Sequence, residues 1–221
     1  MSATSVAAIP RYSFGDELAS SIVHGLGIVL SIAGLATLVA FAALHGNALT
    51  VVACAVFGTS LVLLYTASTL YHSIPLAAAK PTLRALDHIA IYVLIAGTYT
   101  PFTLVALPGA WGWGLFVAVW ALALAGSALE LGLLGRHRKL AVLLYVGMGW
   151  IGMVAFEPLS EHLQAGGTAL LLAGGLAYTL GVPFYLWRRL PYHHALWHGF
   201  VLAGSVLHFL AVLLYVIPDP A

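Results

Sequence analysis

Long apolar runs separated by short polar connections fill most of the chain. Each run has roughly the 20 residues that a helix needs to cross a bilayer. The runs cover residues 18–44, 49–72, 83–106, 112–134, 140–156, 168–187 and 194–217. They are continuous rather than alternating in polarity, which excludes a transmembrane barrel. The pattern predicts an all-α polytopic membrane protein: one seven-helix bundle spanning residues 1–221, with a short N-terminal segment (1–17) and a short tail (218–221).

Composition agrees with this pattern. Of the 221 residues, 62% are hydrophobic and only 7% are charged. A soluble domain carries about 25% charged residues, so this chain cannot cover itself with a polar surface. The formal net charge is +1, and no basic run indicates a nucleic-acid partner. The single cysteine, Cys54, lies inside an apolar run, which excludes a disulfide framework and a thiolate metal site.

The basic residues predict which way the bundle faces. All eight lie before the first run or in the 2–3, 4–5 and 6–7 connections: Arg11, Lys80, Arg84, Arg136, Arg138, Lys139, Arg188 and Arg189. The connections on the other side have none. Because cytoplasmic loops are enriched in Lys and Arg, we predict a cytoplasmic N-terminus and an outer C-terminus. The N-terminal segment lacks the apolar region of a cleaved signal peptide.

Polar residues inside the runs gather near the cytoplasmic ends. Ser68 and His72 lie one helical turn apart where the second run ends, and Asp87 lies near the start of the third. His194 and His198, also one turn apart, open the seventh run. Since successive spans alternate in direction, these five residues are expected at one membrane depth. Ionisable residues at such positions are costly and tend to be functional.

Three histidines and an aspartate at one depth are typical of a catalytic zinc site. Zn²⁺ sites often use three protein ligands and leave a fourth position open. An i, i+4 histidine pair can supply two of these ligands, as it does in the H-E-x-x-H motif. Asp87 could orient water or take its proton, and the Ser68 hydroxyl could donate to a developing oxyanion. The residues alone equally allow an interfacial hydrogen-bonding cluster without metal.

Other polar residues have less certain places. Glu17 and His24 fall on roughly one face of the first helix, where support of the metal ligands and simple packing are both open. His88 and His193 are next to candidate ligands but point about 100° away around their helices, which favours structural roles.

Four ordered motifs resemble a known family. The stretches "ELASSIVHGLG", "STLYHSIP", "LDHIAIYVLIAGTYTPF" and "HHALWHGFVLAGSVLHF" are similar to the bacterial haemolysin III branch of the progestin and adiponectin receptor family. That family belongs to a superfamily of membrane hydrolases that includes alkaline ceramidases. The resemblance extends from Glu17 to His208, nearly the whole chain.

The resemblance implies a seven-helix protein of the bacterial inner membrane with zinc near the cytoplasmic face. The family's zinc ligands match His72, His194 and His198, its water-linked aspartate matches Asp87, and its helix 2 serine matches Ser68. A later histidine of the family pattern matches His208, which lies ten residues beyond His198. At about 1.5 Å per residue that position is some 15 Å deeper, too far for the same metal.

Two functions remain open from the sequence. The leading hypothesis is a zinc-dependent hydrolase of a lipid amide or ester, because the predicted site lies within a leaflet. The alternative is a non-enzymatic, zinc-stabilised sensor, regulator or transport protein. A lytic pore is disfavoured because no run has a polar stripe along its whole length.

Overall fold

All regular structure in the computed structural model is helical over the residues it describes, 12–107, 109–132 and 137–217. The helices are α1 (Phe14–His45), α2 (Ala48–Ser73), α3 (Lys80–Pro101), α4 (Gly109–Leu131), α5 (Arg138–Trp150), α6 (Phe156–Leu186) and α7 (His193–Ala211). The all-α prediction is therefore confirmed. Residues 1–11 and the tail 218–221 lie outside the described residues, as do Arg11 and Arg136 of the predicted charge pattern.

Six helical segments in the described part of the chain are long and apolar enough to cross a membrane. They are Phe14–His45, Ala48–Ser73, Lys80–Ala106, Gly109–Leu131, Lys139–Leu186 and His193–Val216. The chain is thus an integral membrane protein. The predicted span 140–156 and all but the last residue of the predicted span 168–187 fall within Lys139–Leu186, so the count of seven crossings stays a prediction.

The Lys139–Leu186 segment is not one regular helix. It has 48 residues, which would extend about 72 Å as a straight α-helix, against a hydrocarbon core of about 30 Å. A 3₁₀ turn, Ile151–Ala155, follows α5. Within α6, Gln164 has φ 57° and ψ 171°, which interrupts the helical backbone. The segment therefore contains two points at which the helix axis can change direction.

Packing order places the helices in a ring. α1 packs against α2 and α7, α2 against α3, α3 against α4, and α6 against α7. α5 has smaller contacts with α3, α4 and α6. Small residues allow the closest approaches, as is usual between membrane helices. A Cβ at Gly27 would meet the ring of Tyr65, and one at Gly97 would meet the side chain of Ser60.

Helix ends position the candidate site residues. α2 starts at a capping box formed by Asn47 and Thr50 and ends at Ser73, so His72 lies in its last turn. α7 starts after Tyr192, which adopts left-handed backbone angles, so His194 lies in the first turn of α7. We call the end of the bundle where α2 finishes and α7 begins the histidine end.

α3 ends at Pro101, a residue that lacks the backbone N–H of a regular helix. The helix continues beyond Pro101 as a π-helical turn, Phe102–Ala106. The hydroxyl of Thr103 donates to the carbonyl of Tyr99 at 2.9 Å, which supplies one hydrogen bond within this irregular turn. The irregularity lies far from the histidine end and borders the internal cavities described below.

Candidate metal centre

Three imidazoles from α2 and α7 meet at the histidine end. His72, His194 and His198 are all buried, and one nitrogen of each lies within 4.8 Å of the other two. Nε2 of His72 and Nε2 of His198 are 3.2 Å apart. The structure thus brings together the three histidines that the sequence placed at one depth, and the group could hold a metal ion.

One pair of donor atoms has the spacing of two ligands on a tetrahedral zinc ion. Zn–N bonds of 2.0–2.1 Å imply nitrogen–nitrogen edges of about 3.3 Å in a tetrahedron. The Nε2 atoms of His72 and His198 already have nearly this separation. Nδ1 of His198 has no hydrogen-bond partner among the described residues, so no hydrogen bond at that nitrogen competes for the orientation of the ring.

Glu17 lies directly behind His72. Its Oε2 is 2.5 Å from Nδ1 of His72. Because an ionised carboxylate only accepts hydrogen bonds, Nδ1 carries the proton and Nε2 presents its lone pair to the other histidines. The second carboxylate oxygen, Oε1, accepts a hydrogen bond from Nζ of Lys80 at 2.9 Å. Of the two roles left open for Glu17, the contacts favour support of a candidate ligand.

Tyr12 covers the second imidazole. Its hydroxyl oxygen is 3.3 Å from Nδ1 of His194, and the two ring centroids are 4.7 Å apart. No sequence pattern indicates a role for Tyr12, because it lies in the polar segment before the first run and belongs to no recognisable spacing.

Asp87 and Ser68 are buried at the same end without joining the three-histidine group. Asp87 lines a cavity beside the cluster, and its Oδ2 is 3.9 Å from Nδ1 of His88. Among the described residues, the group close enough to share a metal ion consists of the three imidazoles and does not include the Asp87 carboxylate. Oγ of Ser68 is buried and has no hydrogen-bond partner among the described residues. The catalytic roles predicted for both residues remain predictions.

His24 lies against the cluster from α1. Its ring centroid is 3.5 Å from that of His198 and 5.0 Å from that of Tyr65. The side chain is 1% exposed, and neither ring nitrogen has a hydrogen-bond partner in the described structure. Buried polar groups without partners are uncommon and often mark functional sites. α1 therefore brings a further imidazole to the edge of the candidate centre, beside those of α2 and α7.

The remaining buried histidines have backbone partners. Nδ1 of His88 donates to the carbonyl of Arg84 at 2.7 Å, and Nδ1 of His193 donates to that of Phe184 at 3.0 Å. Both contacts agree with the structural roles predicted for these residues. His208 lies outside the three-histidine group, as its spacing predicts, and its Nε2 donates to the carbonyl of Leu171 at 3.0 Å.

Two cavities run away from the histidine end. The larger, about 140 Å³, lies between α3, α5, α6 and α7 and is lined by Asp87 and His24 at the histidine end. The smaller, about 80 Å³, is lined by Leu107 and Leu159 among others. Five residues line both cavities: Tyr99, Gly149, Trp150, Gly175 and His208. The lining is mostly aliphatic and aromatic, so the two cavities together suit an apolar chain rather than a polar solute.

An all-helical bundle with a buried three-histidine cluster at one end defines a class of integral membrane protein with a candidate metal centre. Residues 12–209 match the model of the family described as haemolysin-III related. The chain belongs to this family, as the four motifs indicated.

Relatives in other organisms agree with this assignment. The chain is 48% identical to hemolysin-3 of Bacillus cereus over 203 residues, which is 92% of this chain and 93% of the relative. It is 45% identical to a hemolysin-3 homolog of Bacillus subtilis (strain 168), over 95% and 98% of the two chains. The human monocyte to macrophage differentiation factor is 25% identical, over 75% of this chain and 71% of the human protein.

Proposed function

We propose that this protein is a zinc-dependent hydrolase of a lipid amide or ester in the bacterial inner membrane. The observation that carries the proposal is the juxtaposition of the three-histidine cluster with the apolar cavity that begins at Asp87 and His24. His72, His194 and His198 would hold the ion. Bound there, Zn²⁺ would supply the Lewis acidity that activates water near neutral pH.

Asp87 and Ser68 would carry the proton transfer and the charge stabilisation. A carboxylate at the head of the cavity can accept a proton from the attacking water and pass it to the leaving group. A serine hydroxyl can donate to the oxygen that gains negative charge as the carbonyl carbon becomes tetrahedral. The Ser68 hydroxyl makes no hydrogen bond to another described residue, so it is available for this contact.

The cavities support a lipid as the substrate. An acyl chain with its carbonyl near Asp87 would extend past Leu94 and Val201 toward His208, where the two cavities adjoin. Burying apolar surface contributes about 0.8 kcal/mol per methylene, so the chain would supply most of the binding free energy. The polar carbonyl would lie near Asp87, the one charged residue in the described lining of the two cavities.

We also infer that Lys139–Leu186 crosses the membrane twice. α5 runs beside α3 in the same direction: the hydroxyl of Tyr145 donates to the carbonyl of His88, and further along the hydroxyl of Tyr99 donates to the carbonyl of Gly149. α3 starts near the histidine end, so α5 leads away from it.

The later part of α6 returns. Gly167 packs against Tyr215, Gly174 against His208 and Gly181 against Phe200, so the residues after Gln164 run antiparallel to α7. α7 begins at the histidine end, and α6 therefore finishes there. Two opposite passes within this segment give seven crossings in total.

Seven crossings support the predicted orientation. The described basic residues Lys80, Arg84, Lys139, Arg188 and Arg189 then belong to connections on the side of the histidine end. By the positive-inside rule this side faces the cytoplasm. The candidate metal centre would accordingly lie in the inner leaflet, where cytosolic water can reach it.

Metal analysis and lipid turnover test the proposal together. We expect about one zinc per chain in wild type and loss of zinc in a His194→Ala, His198→Ala double variant. Wild type should release fatty acid from at least one member of a panel of ceramides and lipid esters. Asp87→Ala should keep its zinc and lose turnover by about 100-fold or more, the range of a general base.

Other outcomes would decide against hydrolysis. Absence of metal from folded wild type purified without chelator would refute the mechanism. If wild type binds zinc, hydrolyses nothing in the panel, and Asp87→Ala mainly lowers thermal stability, the zinc-stabilised sensor would be the better hypothesis.

A further inference from the structure

The start of α1 and the residues just before it contact the candidate metal ligands at Nδ1, on the outer side of the cluster. Glu17 contacts His72 of α2 and Lys80 of α3 through different carboxylate oxygens, at 2.5 and 2.9 Å. Five residues earlier, Tyr12 contacts His194 of α7. One short segment thus reaches Nδ1 of two of the three imidazoles. No spacing rule in the sequence predicts these contacts, because they depend on how α1 is rotated against its neighbours.

We propose that Glu17 is the positioning residue of the metal centre and that Lys80 tunes its effect; this rests on the metal site of the proposed function. A carboxylate that accepts the Nδ1 proton of a ligating histidine fixes the tautomer and the ring orientation and makes Nε2 a stronger donor. Loss of such a partner typically weakens metal binding by about 10- to 100-fold. Here the contact directs Nε2 of His72 toward His198.

Burial makes the contact effective. The His72 side chain is 0% exposed and that of Glu17 is 21% exposed, so the hydrogen bond is largely shielded from water. A charge-assisted hydrogen bond in such a place is stronger than one between neutral groups. Glu17 is therefore well placed to hold the ring while leaving Nε2 directed into the site.

Lys80 opposes this donation. Its Nζ donates to Oε1 of Glu17 and to the carbonyl of Tyr71, and lies 4.7 Å from the centre of the Tyr71 ring. The ammonium draws negative charge toward Oε1, away from the oxygen that faces His72. Removing the ammonium should leave a carboxylate that accepts more strongly from Nδ1. Substitutions of Glu17 and Lys80 should therefore change metal affinity in opposite directions. If the ion pair only stabilised the local structure, both substitutions would lower the affinity.

Tyr12 should contribute less to metal affinity than Glu17. Its contact with His194 is 3.3 Å and joins two neutral groups. Neutral hydrogen bonds contribute less than charge-assisted ones. Tyr12→Phe keeps the ring that packs on His194 and removes only the hydroxyl. We expect it to weaken metal binding by no more than about threefold, because a neutral hydrogen bond contributes less than the charge-assisted one at Glu17.

The test uses the full-length protein in detergent, stripped of metal and titrated with Zn²⁺ and Co²⁺ against a competing chelator. Glu17→Ala should lower the affinity for both metals by about 10- to 100-fold. Glu17→Gln should lower it by less, because the amide oxygen can still accept a hydrogen bond from Nδ1. Lys80→Met should bind metal as tightly as wild type or more tightly. The visible spectrum of bound Co²⁺ should shift in Glu17→Gln, since it reports ligand donation rather than folding.

A matched control lies on the same helical turn. Asp16 is also acidic, but its carboxylate accepts from the hydroxyl of Ser13 at 2.6 Å, and its backbone N–H donates to the same hydroxyl at the helix cap. Asp16→Asn should therefore change neither affinity nor the Co²⁺ spectrum. Helical content and melting temperature of every variant would be compared with wild type.

Three results would overturn the proposal. Glu17→Ala that retains wild-type affinity would remove the positioning role. Lys80→Met that weakens binding as much as Glu17→Ala would make the pair a structural brace. In both cases wild type still binds metal, and the proposed function stands. Wild type that binds neither metal would refute the proposed function and this inference with it.

Discussion

The helices that carry the candidate site, α2, α3 and α7, which we call the central helices, pack more tightly than the α5–α6 segment. In the most apolar window of the segment Lys80–Ala106, 61% of residues are buried within the protein, against 17% in Lys139–Leu186. The central helices contribute His72 and Asp87, whereas the loosely packed segment forms one wall of the cavities. A metal centre needs ligands held within a fraction of an ångström, which tightly packed helices provide. A cavity for flexible chains can tolerate a wall that has fewer contacts and opens more easily.

Removing one imidazole should have the largest effect and should separate the two regions most clearly. His198→Ala deletes one of three nitrogens, so metal affinity should fall by more than the roughly 100-fold upper limit for an outer hydrogen bond. His208→Ala, on the same helix but beside the cavities, is the matched control and should retain its metal. Chelator competition measures both. Equal losses in the two variants would show that metal binding does not distinguish the regions.

Adding a methyl group at a helix contact should separate the regions by stability. Gly27→Ala places a Cβ against the ring of Tyr65, whose hydroxyl is held by Ser205 at 2.7 Å. We expect a loss of about 1–3 kcal/mol from overpacking. Gly147→Ala in α5 meets nothing within 4 Å and should be neutral or stabilise by up to about 1 kcal/mol. Thermal unfolding in detergent compares them, and similar melting temperatures would contradict the difference in packing.

A larger side chain between the cavities should change lipid preference without affecting metal. Gly149 lines both cavities, and a Cβ there meets nothing within 4 Å. We expect Gly149→Leu to reduce turnover of lipids with 18-carbon chains by about tenfold, and of 8-carbon analogues much less, because one misfitting group costs about 1–3 kcal/mol. Gly147→Leu, two residues away, is the control. A uniform loss for both chain lengths would argue against an acyl chain in this passage.

The smallest expected effect concerns the hydrogen bonds between the two regions. Ser205 of α7 accepts from the hydroxyl of Tyr65 at 2.7 Å and lies 2.8 Å from that of Tyr178. Tyr65→Phe should lower the free energy of unfolding by about 1 kcal/mol and leave zinc content at wild type. Denaturant or thermal unfolding, with metal analysis on the same samples, tests this. Loss of zinc would mean that the cluster depends on this link.

The meeting of His72, His194 and His198 could be predicted from the sequence because it follows from two strict regularities. Residues four apart share a helix face, and successive spans alternate in direction. Neither regularity says how helices rotate about their axes or where side chains reach. The contacts of Glu17 with His72 and Lys80, and of Tyr12 with His194, depend on such details and were not predicted.

The α5–α6 region shows a second limit of sequence patterns. Apolar periodicity predicts two separate spans with a polar connection between them. The structure instead continues helical structure through that connection, with a 3₁₀ turn at Ile151–Ala155 and a break at Gln164. Polar residues in a connection are compatible with a helix as well as a loop, so composition alone cannot distinguish them. The cavities were also beyond prediction, because they arise from imperfect packing between helices.

The histidine pair at 3.2 Å joins residues that are 126 positions apart, His72 in the second helix and His198 in the last. During synthesis the first of these imidazoles enters the membrane long before its partners exist. A chain that stops before α7 has only His72 and cannot complete the group. A metal held by all three imidazoles could therefore bind only after insertion of the final helix, and it would join the first part of the ring to the last. A metal held by all three imidazoles would report that the whole chain has been inserted.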